Sequence, residues 1–537
     1  MALIEPKPTP QRRLGFSPLW PAVFAALICA SPLLAVMALG LFGPWTDYMA
    51  HVASTRLADY LANTALVTTL AALGAILIGA PLAFLVSRCA FPGRSVFEPL
   101  LALPLAMPAY AAAYAWYDLT QGAGPLGALP TIRGPLGAGF IFALTLYPYV
   151  YLLAREAFAG QSADAYDAAR TMGSGPFEAF RRAALPMARP ALAAGLALVV
   201  METLADYGAV SHLGAPTLSV GLMRAWAGEG AIADAARLAL ILVFIAFFLF
   251  ALERTQRRRA RQTAGSGKRK PTRRIVLSPA MGALAVLACC VPVLGGLVVP
   301  LARLGWRALN APVARDLFSS AQNSLMLAVV SGIVAAVIGL SAAYALRSGR
   351  RPAIAAARLA GLGYAVPGSV AALGVLVLLG TLQRQIDGLW LGLFNATFPI
   401  AFAGGVLALI FAYQSRFAAA AIGPSESALS RVTPTLDGAS RTLGSTGLET
   451  AWRVHWPLIA SGTLLAGLLV FVEVLKELPA TMILRPFNFE TLAVTAHNYA
   501  SDERLGEAAL PALLIVLIAL PLMIWIARRL TRSETAP

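Results

Sequence analysis

The sequence predicts an all-α polytopic membrane protein in which twelve transmembrane helices form two tandem six-helix halves. Three observations indicate this fold class. Of the 537 residues, 58% are hydrophobic and only 13% are charged, whereas soluble domains carry about 25% charged residues. The apolar residues come in long runs, and a helix needs roughly 20 of them to cross the hydrocarbon core of a bilayer. The pattern of the first half also recurs in the second.

Twelve segments are long and apolar enough to cross a bilayer, or nearly so. The third, ninth and tenth are interrupted by Pro or Gly. Basic residues precede the first segment, as in a signal peptide, but its apolar stretch is too long for the hydrophobic region of such a peptide. We therefore predict an uncleaved anchor there. The predicted spans are 19–42, 61–86, 96–116, 137–154, 188–207, 231–252, 276–301, 321–346, 357–380, 397–413, 459–479 and 508–527.

The basic residues indicate the orientation of these spans. If the N-terminus is cytoplasmic and twelve crossings alternate, 31 of the 42 Lys and Arg residues fall in cytoplasmic segments. Cytoplasmic loops of membrane proteins carry this excess of positive charge. The net charge of +16 is therefore explained by topology, without nucleic-acid binding. We predict a multi-pass protein of the bacterial inner membrane with both termini in the cytoplasm.

A basic segment separates the two sets of six spans. Residues 253–274 read ERTQRRRARQTAGSGKRKPTRR and show no apolar periodicity, which predicts a flexible cytoplasmic linker that attracts anionic lipid. Its GSGK is not a Walker A loop, which requires G-x-x-x-x-G-K-[ST]. The predicted organisation is a tail, first span and outer loop (1–60), a first transmembrane domain (61–252), the linker (253–275), a seventh span and outer loop (276–318), a second transmembrane domain (319–528) and a tail (529–537).

Matching residues relate the two halves. Asn63-Thr64 begins a span that reaches Gly79, and Asn323-Ser324 begins one that reaches Gly339, at a constant offset of 260 positions. Each half contains an even number of predicted spans, so the repeats are parallel. Transporters built from such repeats usually place the translocation pathway between their halves.

Between the fourth and fifth spans of each half lies a cytoplasmic loop with a repeated motif. In the first half, DAARTMG at 167–173 is followed by nine residues and then AALP. In the second, GASRTLG at 438–444 is followed by nine residues and then VHWP. A surface helix that stops at Gly and resumes near Pro would explain one copy equally well. Two copies at one spacing and in one topological position favour a functional motif.

This motif resembles the E-A-A-x(3)-G-x(9)-I-x-L-P loop of binding-protein-dependent ABC importer permeases of type I, in their fused two-half form. The resemblance covers nearly the whole chain, and it implies that the short helix before each Gly docks on a separate ATPase subunit. In the second loop Gly438 occupies the acidic position and an Asp precedes it, so its polar anchor stays open. The coupling residues implied are Asp167, Ala168, Ala169, Gly173 and Pro186 in the first loop, and Asp437, Gly438, Ala439, Gly444 and Pro457 in the second.

Two pairs of acidic residues end the fifth and eleventh spans. Glu202 and Asp206 match Glu473 and Glu477 at an offset of 271 positions, and the i, i+4 spacing would place each pair on one helical face. A buried charge near the bilayer centre costs roughly 2.5–3.5 kcal/mol or more, so such residues usually face a pathway or a partner. Lining of the translocation pathway and structural pairing, for example with Lys476, both stay open.

The flanking sequences, ETLADYGAVSHLGAPTLSVGLMRAWAG and KELPATMILRPFNFETLAVTAHNYASDERLGEAALPALLIVL, are similar to those of fused ferric-iron permeases. The resemblance implies three partners: two copies of an ABC ATPase, a periplasmic iron-binding protein that delivers iron(III), and the lipid bilayer. ATP and Mg would be used by the ATPase. We expect no catalytic residue and no cofactor in this chain, assign no metal site firmly, and interpret His51, His212, His455 and His497 as structural.

Other functions were weighed against this interpretation. Within the same class, thiamine is the second substrate and phosphonate-type anions the third, although the acidic pairs argue mildly against anions. A twelve-span secondary transporter also has six-plus-six architecture, but it needs no repeated loop between its fourth and fifth spans. A membrane enzyme is the most distant alternative, because no His, Cys or acidic cluster in the sequence suits catalysis or metal ligation.

Overall fold

The computed structural model describes residues 18–263 and 274–532, apart from 397, 400 and 403. Helices make up most of this part of the chain. In the first half they are α1 (Leu19–Phe42), α2 (Asp47–Thr55), α3 (Leu57–Arg88), α4 (Arg94–Leu100), α5 (Ala109–Thr120), α6 (Gly134–Ala159), α7 (Gln161–Thr171), α8 (Pro176–Ala179), α9 (Leu185–Ala205), α10 (Gly208–His212), α11 (Leu218–Met223) and α12 (Ile232–Thr263).

The second half has the same helical character. Its helices are α13 (Pro279–Val293), α14 (Val299–Leu309), α15 (Leu317–Arg347), α16 (Arg351–Ala360), α17 (Gly368–Phe394), α18 (Val406–Ser430), α19 (Pro434–Thr442), α20 (Gly447–Thr450), α21 (Trp456–Leu475), α22 (Pro479–Leu484), α23 (Leu492–Ser501) and α24 (Leu505–Arg532). Among the described residues, the strands are limited to β1 (Cys89–Ala90) and β2 (Ile275–Val276), which pair in parallel.

Eleven helical stretches in the described part of the chain are long and apolar enough to cross a membrane. A twelfth is reached if Arg94–Ala106 and Ala109–Thr120, which meet at an angle of 91°, are counted as one broken span. The prediction of an all-α polytopic membrane protein is therefore confirmed.

The three spans with internal Pro or Gly differ from their predicted bounds. The third span bends before α5, which begins directly after Pro108, and the ninth is interrupted before α17, which begins directly after Pro367. Proline lacks an N–H donor and also restricts the residue before it, so it favours a helix start at these positions. The tenth span is α18 at Val406–Ser430, so it begins and ends later in the chain than the predicted 397–413.

The basic segment after the sixth span is partly helical. We predicted a flexible linker from residue 253, but α12 continues to Thr263. This part of the prediction is wrong, because Arg and Gln are good helix formers and the helix is already nucleated by the apolar span. Residues 264–273 lie outside the described residues. Beyond them, β2 pairs with β1, and this ladder ties the start of the second half to the end of α3.

The chain divides into two compact units. Unit 1 contains the residues up to Ala35, Leu325–Val474 and Leu484–Pro486, and unit 2 contains Val36–Ser324, Leu475–Ile483 and the residues from Phe487 onward. Unit 2 therefore combines most of the first sequence half with three stretches of the second half, at 276–324, 475–483 and 487–537. The domain boundaries proposed from the sequence stay predictions.

Glycines allow close helix packing at equivalent positions of the two units. In unit 2, a Cβ atom at Gly79 of α3 would lie 2.9 Å from the carbonyl oxygen of Tyr147 in α6. In unit 1, a Cβ atom at Gly339 of α15 would lie 2.7 Å from the carbonyl oxygen of Ala421 in α18. The repeated glycines found in the sequence thus mark one repeated helix contact, and small residues serve such contacts in membrane proteins.

We expect Gly339→Ala to destabilise unit 1 by about 1–3 kcal/mol, because the added methyl group would push against backbone atoms that cannot rotate away. Gly423→Ala on α18 is the matched control, since a Cβ atom there has no neighbour within 4 Å. Thermal unfolding of the purified protein in detergent measures both variants. Equal midpoints for the two variants would contradict the packing described here.

Candidate functional site

The first of the two loops predicted to be cytoplasmic folds as a short helix, a sharp turn and a second helix. Helix α7 ends at Thr171, and Gly173 follows with φ +91°. Side chains other than hydrogen rarely tolerate this left-handed conformation, so glycine is the favoured residue at such a helix end. The Ser174 N–H donates to the Ala169 carbonyl oxygen over 3.1 Å and closes the turn. After α8, a π-helical turn at Phe180–Ala184 leads into α9.

The second loop repeats this structure in detail. Helix α19 ends at Thr442, Gly444 has φ +82°, and the Ser445 N–H donates to the Ser440 carbonyl oxygen over 3.1 Å. A π-helical turn at Ala451–His455 again leads into the next long helix, α21. The sequence motif therefore corresponds to one local structure that occurs twice.

An ion pair attaches the first loop to the end of α3. The Arg88 guanidinium binds the Asp167 carboxylate and also lies over the Tyr166 ring, 5.3 Å from its centroid. The Arg88 side chain is only 2% exposed, whereas that of Asp167 is 47% exposed. Asp167 therefore directs its carboxylate back to the transmembrane helices and compensates a buried cation.

In the second loop Asp437 forms the equivalent ion pair. Arg347 donates from Nη2 to Asp437 Oδ2 over 2.7 Å, and from Nη1 to the carbonyl oxygens of Leu429 and Val432. Arg347 ends α15 as Arg88 ends α3. The polar anchor left open by the sequence is thus present, one residue before the position of the motif, while Gly438 is exposed on the helix surface.

A buried histidine distinguishes the second loop from the first. His455 Nε2 lies 2.8 Å from Asp437 Oδ1, and His455 Nδ1 lies 2.9 Å from the Tyr344 hydroxyl. An ionised Asp437 can only accept, so Nε2 donates to it, and Nδ1 shares a hydrogen bond with the Tyr344 hydroxyl. The matching position in the first loop is Ala184. From the sequence we interpreted His455 as structural but did not predict this network, because its members are 18 to 111 positions apart.

The network fixes the charge state of Asp437. Burial opposes its ionisation, but the hydrogen bonds from Arg347 and His455 outweigh burial and hold the pKa of Asp437 below its ordinary value. Because the folded-state pKa is depressed, the stabilisation is complete above the unfolded pKa of about 3.9 and is lost as the pH falls through the lower folded value.

We therefore expect amide hydrogen exchange in α19, corrected for intrinsic rates, to be constant between about pH 7 and pH 5 and to rise only below about pH 4. Mass spectrometry of peptides that cover Pro434–Thr442 measures this. A rise that is already complete near pH 5 would contradict the assigned ion pair.

The remaining loop residues lie on the same two hairpins. Ala168, Gly173, Ala439, Gly444 and Pro457 are exposed, Pro186 is half-buried, and Ala169 is buried. The exposed face of each loop thus includes the small residues that the motif predicts, while the acidic residue of each loop points toward the protein. The coupling roles of these residues stay predictions.

We predicted from their spacing that each acidic pair would share one helical face. The structure contradicts this prediction. Helix α9 ends at Ala205, and Asp206 accepts hydrogen bonds from the N–H groups of Ala209 (2.9 Å) and Val210 (3.3 Å). Likewise α21 ends before Glu477, which accepts from the Ala480 N–H over 3.1 Å. Each long helix ends here because the carboxylate accepts from backbone N–H groups at the start of the next short helix. Such side-chain hydrogen bonds compete with the backbone hydrogen bonds that would continue the long helix. Glu202 and Glu473 remain on the long helices, and both are half-buried.

No group of three or more His, Cys, Asp and Glu side chains that could hold a metal ion occurs among the residues that the structure describes. The acidic residues at the ends of α9 and α21 therefore do not form a conventional metal site. Their backbone hydrogen bonds indicate a structural role, which is compatible with an additional role in a pathway.

The chain is similar in sequence to known membrane transport proteins. The family model of binding-protein-dependent transport system inner membrane components matches residues 68–262. The Fe(3+)-transport system permease protein FbpB 2 of Haemophilus influenzae is 25% identical over 476 residues, which cover 86% of this chain and 88% of that protein. A probable molybdenum ABC transporter permease of Haloferax volcanii is 32% identical over 189 residues, which cover 34% of this chain and 70% of that protein. The sulfate transport system permease protein CysT of Salmonella typhimurium is 29% identical over 195 residues, which cover 35% of this chain and 70% of that protein. The chain therefore belongs to the family of binding-protein-dependent transport system inner membrane components, the permease subunits of ABC importers.

Proposed function

We propose that this permease subunit translocates iron(III) delivered by a periplasmic binding protein, and that a separate ATPase dimer drives the transport. One observation carries the choice of substrate. The Fe(3+)-transport relative matches 86% of this chain, through both halves, whereas the molybdenum and sulfate relatives quoted above match 34% and 35% of it. Carboxylates near the ends of α9 and α21 also suit a hard cation better than an oxyanion.

The two cytoplasmic loops are the proposed attachment points of the ATPase subunits. Each loop presents two large apolar side chains at equivalent positions. Met172 and Leu443 are 80% and 85% exposed, and Phe177 and Leu448 are exposed as well. Apolar side chains on a polar cytoplasmic surface favour burial against a partner protein. Two equivalent patches would bind two copies of one ATPase, so this chain needs neither an ATPase site nor a cofactor of its own.

An oxyanion such as molybdate is the second candidate substrate, favoured by the 32% identity to the probable molybdenum permease. Uptake of radiolabelled iron(III), molybdate, sulfate and thiamine by cells with and without this chain separates the candidates. We expect deletion to abolish iron uptake alone and a plasmid copy to restore it. Unchanged iron uptake with loss of any other substrate would overturn the proposal and leave the family assignment intact.

A further inference from the structure

The short helices that follow α9 and α21 meet inside unit 2. A Cβ atom at Gly208, the first residue of α10, would lie 2.7 Å from Leu478 Cδ2 and 3.0 Å from Tyr110 Cβ. Gly208 belongs to the first sequence half and lies two residues after Asp206, whereas Leu478 belongs to the second half and directly follows Glu477. Equivalent segments of the two repeats therefore converge on the face of α5 that carries Tyr110.

Tyr110 is a buried phenol at this convergence. Its side chain is 3% exposed, and among the described residues its hydroxyl has no hydrogen-bond partner. Asp206 and Glu477 lie on the two segments that meet beside Tyr110 at Gly208 and Leu478, and both carboxylates act electrostatically on the phenol. Buried hydroxyl groups are nearly always paired in folded proteins. A buried phenol that lacks a partner and lies beside two acidic segments therefore indicates a missing ligand.

Further polar rings adjoin Tyr110 on the same side of α5. The Tyr114 hydroxyl lies 3.3 Å from His497 Nδ1, and the Tyr114 ring packs edge-on against His212, with centroids 4.5 Å apart. The His212 Nε2 atom is buried and, in the described part of the chain, also lacks a partner. Phenol, carboxylate and imidazole groups from both sequence halves thus line one small region.

We propose that Tyr110, Asp206 and Glu477 form a transit site for the iron(III) cargo, with Tyr114, His212 and His497 as its adjoining polar wall. This inference rests on the proposed function and assigns residues to it. Carboxylate and phenol oxygens are hard ligands that suit a small, highly charged cation. The neutral Tyr110 hydroxyl would contact the cation through a lone pair of its oxygen and keep its proton. Each carboxylate keeps a backbone hydrogen bond, which holds its position when the cation passes.

The site is suited to brief contact rather than to storage. Because no three of the described His, Cys, Asp and Glu side chains are grouped to hold a metal, the cation would have few simultaneous ligands. A pathway site must bind strongly enough to admit its ion and weakly enough to release it. Selectivity for iron would then come largely from the binding protein.

The test uses the complete transporter, with its ATPase and binding protein, in proteoliposomes. We expect Tyr110→Phe to lower accumulation of radiolabelled iron(III) at least about tenfold, since removal of even a group that supports a metal ligand typically costs about 10–100-fold. ATP hydrolysis stimulated by the iron-loaded binding protein should stay at the wild-type level. Tyr147→Phe is the matched control, because Tyr147 is also a fully buried tyrosine of unit 2 whose hydroxyl lacks a partner among the described residues. It should leave both readouts unchanged.

Each other outcome overturns the transit site. Iron uptake by Tyr110→Phe at the wild-type rate would show that the hydroxyl takes no part, and the iron function would stand. Equal loss in Tyr110→Phe and Tyr147→Phe would indicate a packing effect. If the wild-type transporter accumulates molybdate or sulfate and no iron, the proposed function itself fails. Should Tyr110→Phe not assemble, Glu477→Gln decides, since its amide oxygen can still accept from the Ala480 N–H, and iron uptake at the wild-type rate would again overturn the site.

Discussion

Replacing Gly173 and Gly444 together by proline is expected to abolish ATP-driven uptake while the protein still inserts into the membrane. Both glycines have left-handed backbones, with φ +91° and +82°, whereas proline fixes φ near −65°. The substitution also removes the N–H groups that donate to the carbonyl oxygens of Arg170 and Arg441. The cost is on the order of 3 kcal/mol in each loop, so α7 and α19 could no longer turn back to α8 and α20.

Co-purification of the ATPase with the tagged permease and uptake in whole cells together measure this effect. Gly175→Ala is the control, because Gly175 has an ordinary backbone (φ −61°, ψ 160°) and open space around a Cβ atom. A double-proline protein that retains both its ATPase and its uptake would disprove the coupling role of these loops. Single-proline variants would show whether one intact loop suffices for attachment.

Asp437→Ala is expected to impair the transporter more than Asp167→Ala. Asp437 is 8% exposed and compensates two buried partners, Arg347 and His455. Removing one member of a buried ion pair typically costs about 3–5 kcal/mol, because the remaining charge is left without compensation. Asp167 compensates one buried partner, Arg88, instead of two. Its own side chain is 47% exposed, so water can reach the vacated position and screen the Arg88 charge.

We expect Asp437→Ala to raise hydrogen exchange throughout α19 and to lower ATPase co-purification strongly, with a weaker effect of Asp167→Ala on α7. His455→Gln provides a graded comparison, since its side-chain amide can still donate to Asp437 while the ring contact with Tyr344 is lost. If Asp167→Ala has the larger effect, the burial of the Asp437 network does not determine how firmly the loops are held.

Much of the architecture could be predicted from the sequence because its signals are local. Long apolar runs predict spans, and the offset of 260 positions between Gly79 and Gly339 predicts that the two halves are repeats. The spacing of Gly173 and Gly444 within their motifs predicts two equivalent turns. Each of these features depends on hydrophobicity or backbone conformation over a few neighbouring residues, which the sequence expresses directly.

Local patterns misled where a side chain competes with the helix. The i, i+4 spacing of Glu202 and Asp206 is compatible with one continuous helix, and nothing in the sequence shows that α9 ends at Ala205. The deciding contact is the capping of α10 by Asp206, which requires the chain to turn. The basic residues at the end of α12 led to the opposite error. We predicted a flexible linker there, but composition alone does not show that the helix continues to Thr263.

By itself, the sequence determined that this chain is a two-half membrane permease with an equivalent loop in each half. Only the tertiary structure showed which side chains hold those loops in place and which side chains from the two sequence halves contact each other. The Asp437 network and the polar groups around Tyr110 join residues from 18 to 383 positions apart. Hydrophobic periodicity carries information about each helix and its faces, whereas such pairings depend on how the helices pack, and no spacing in the chain encodes that packing.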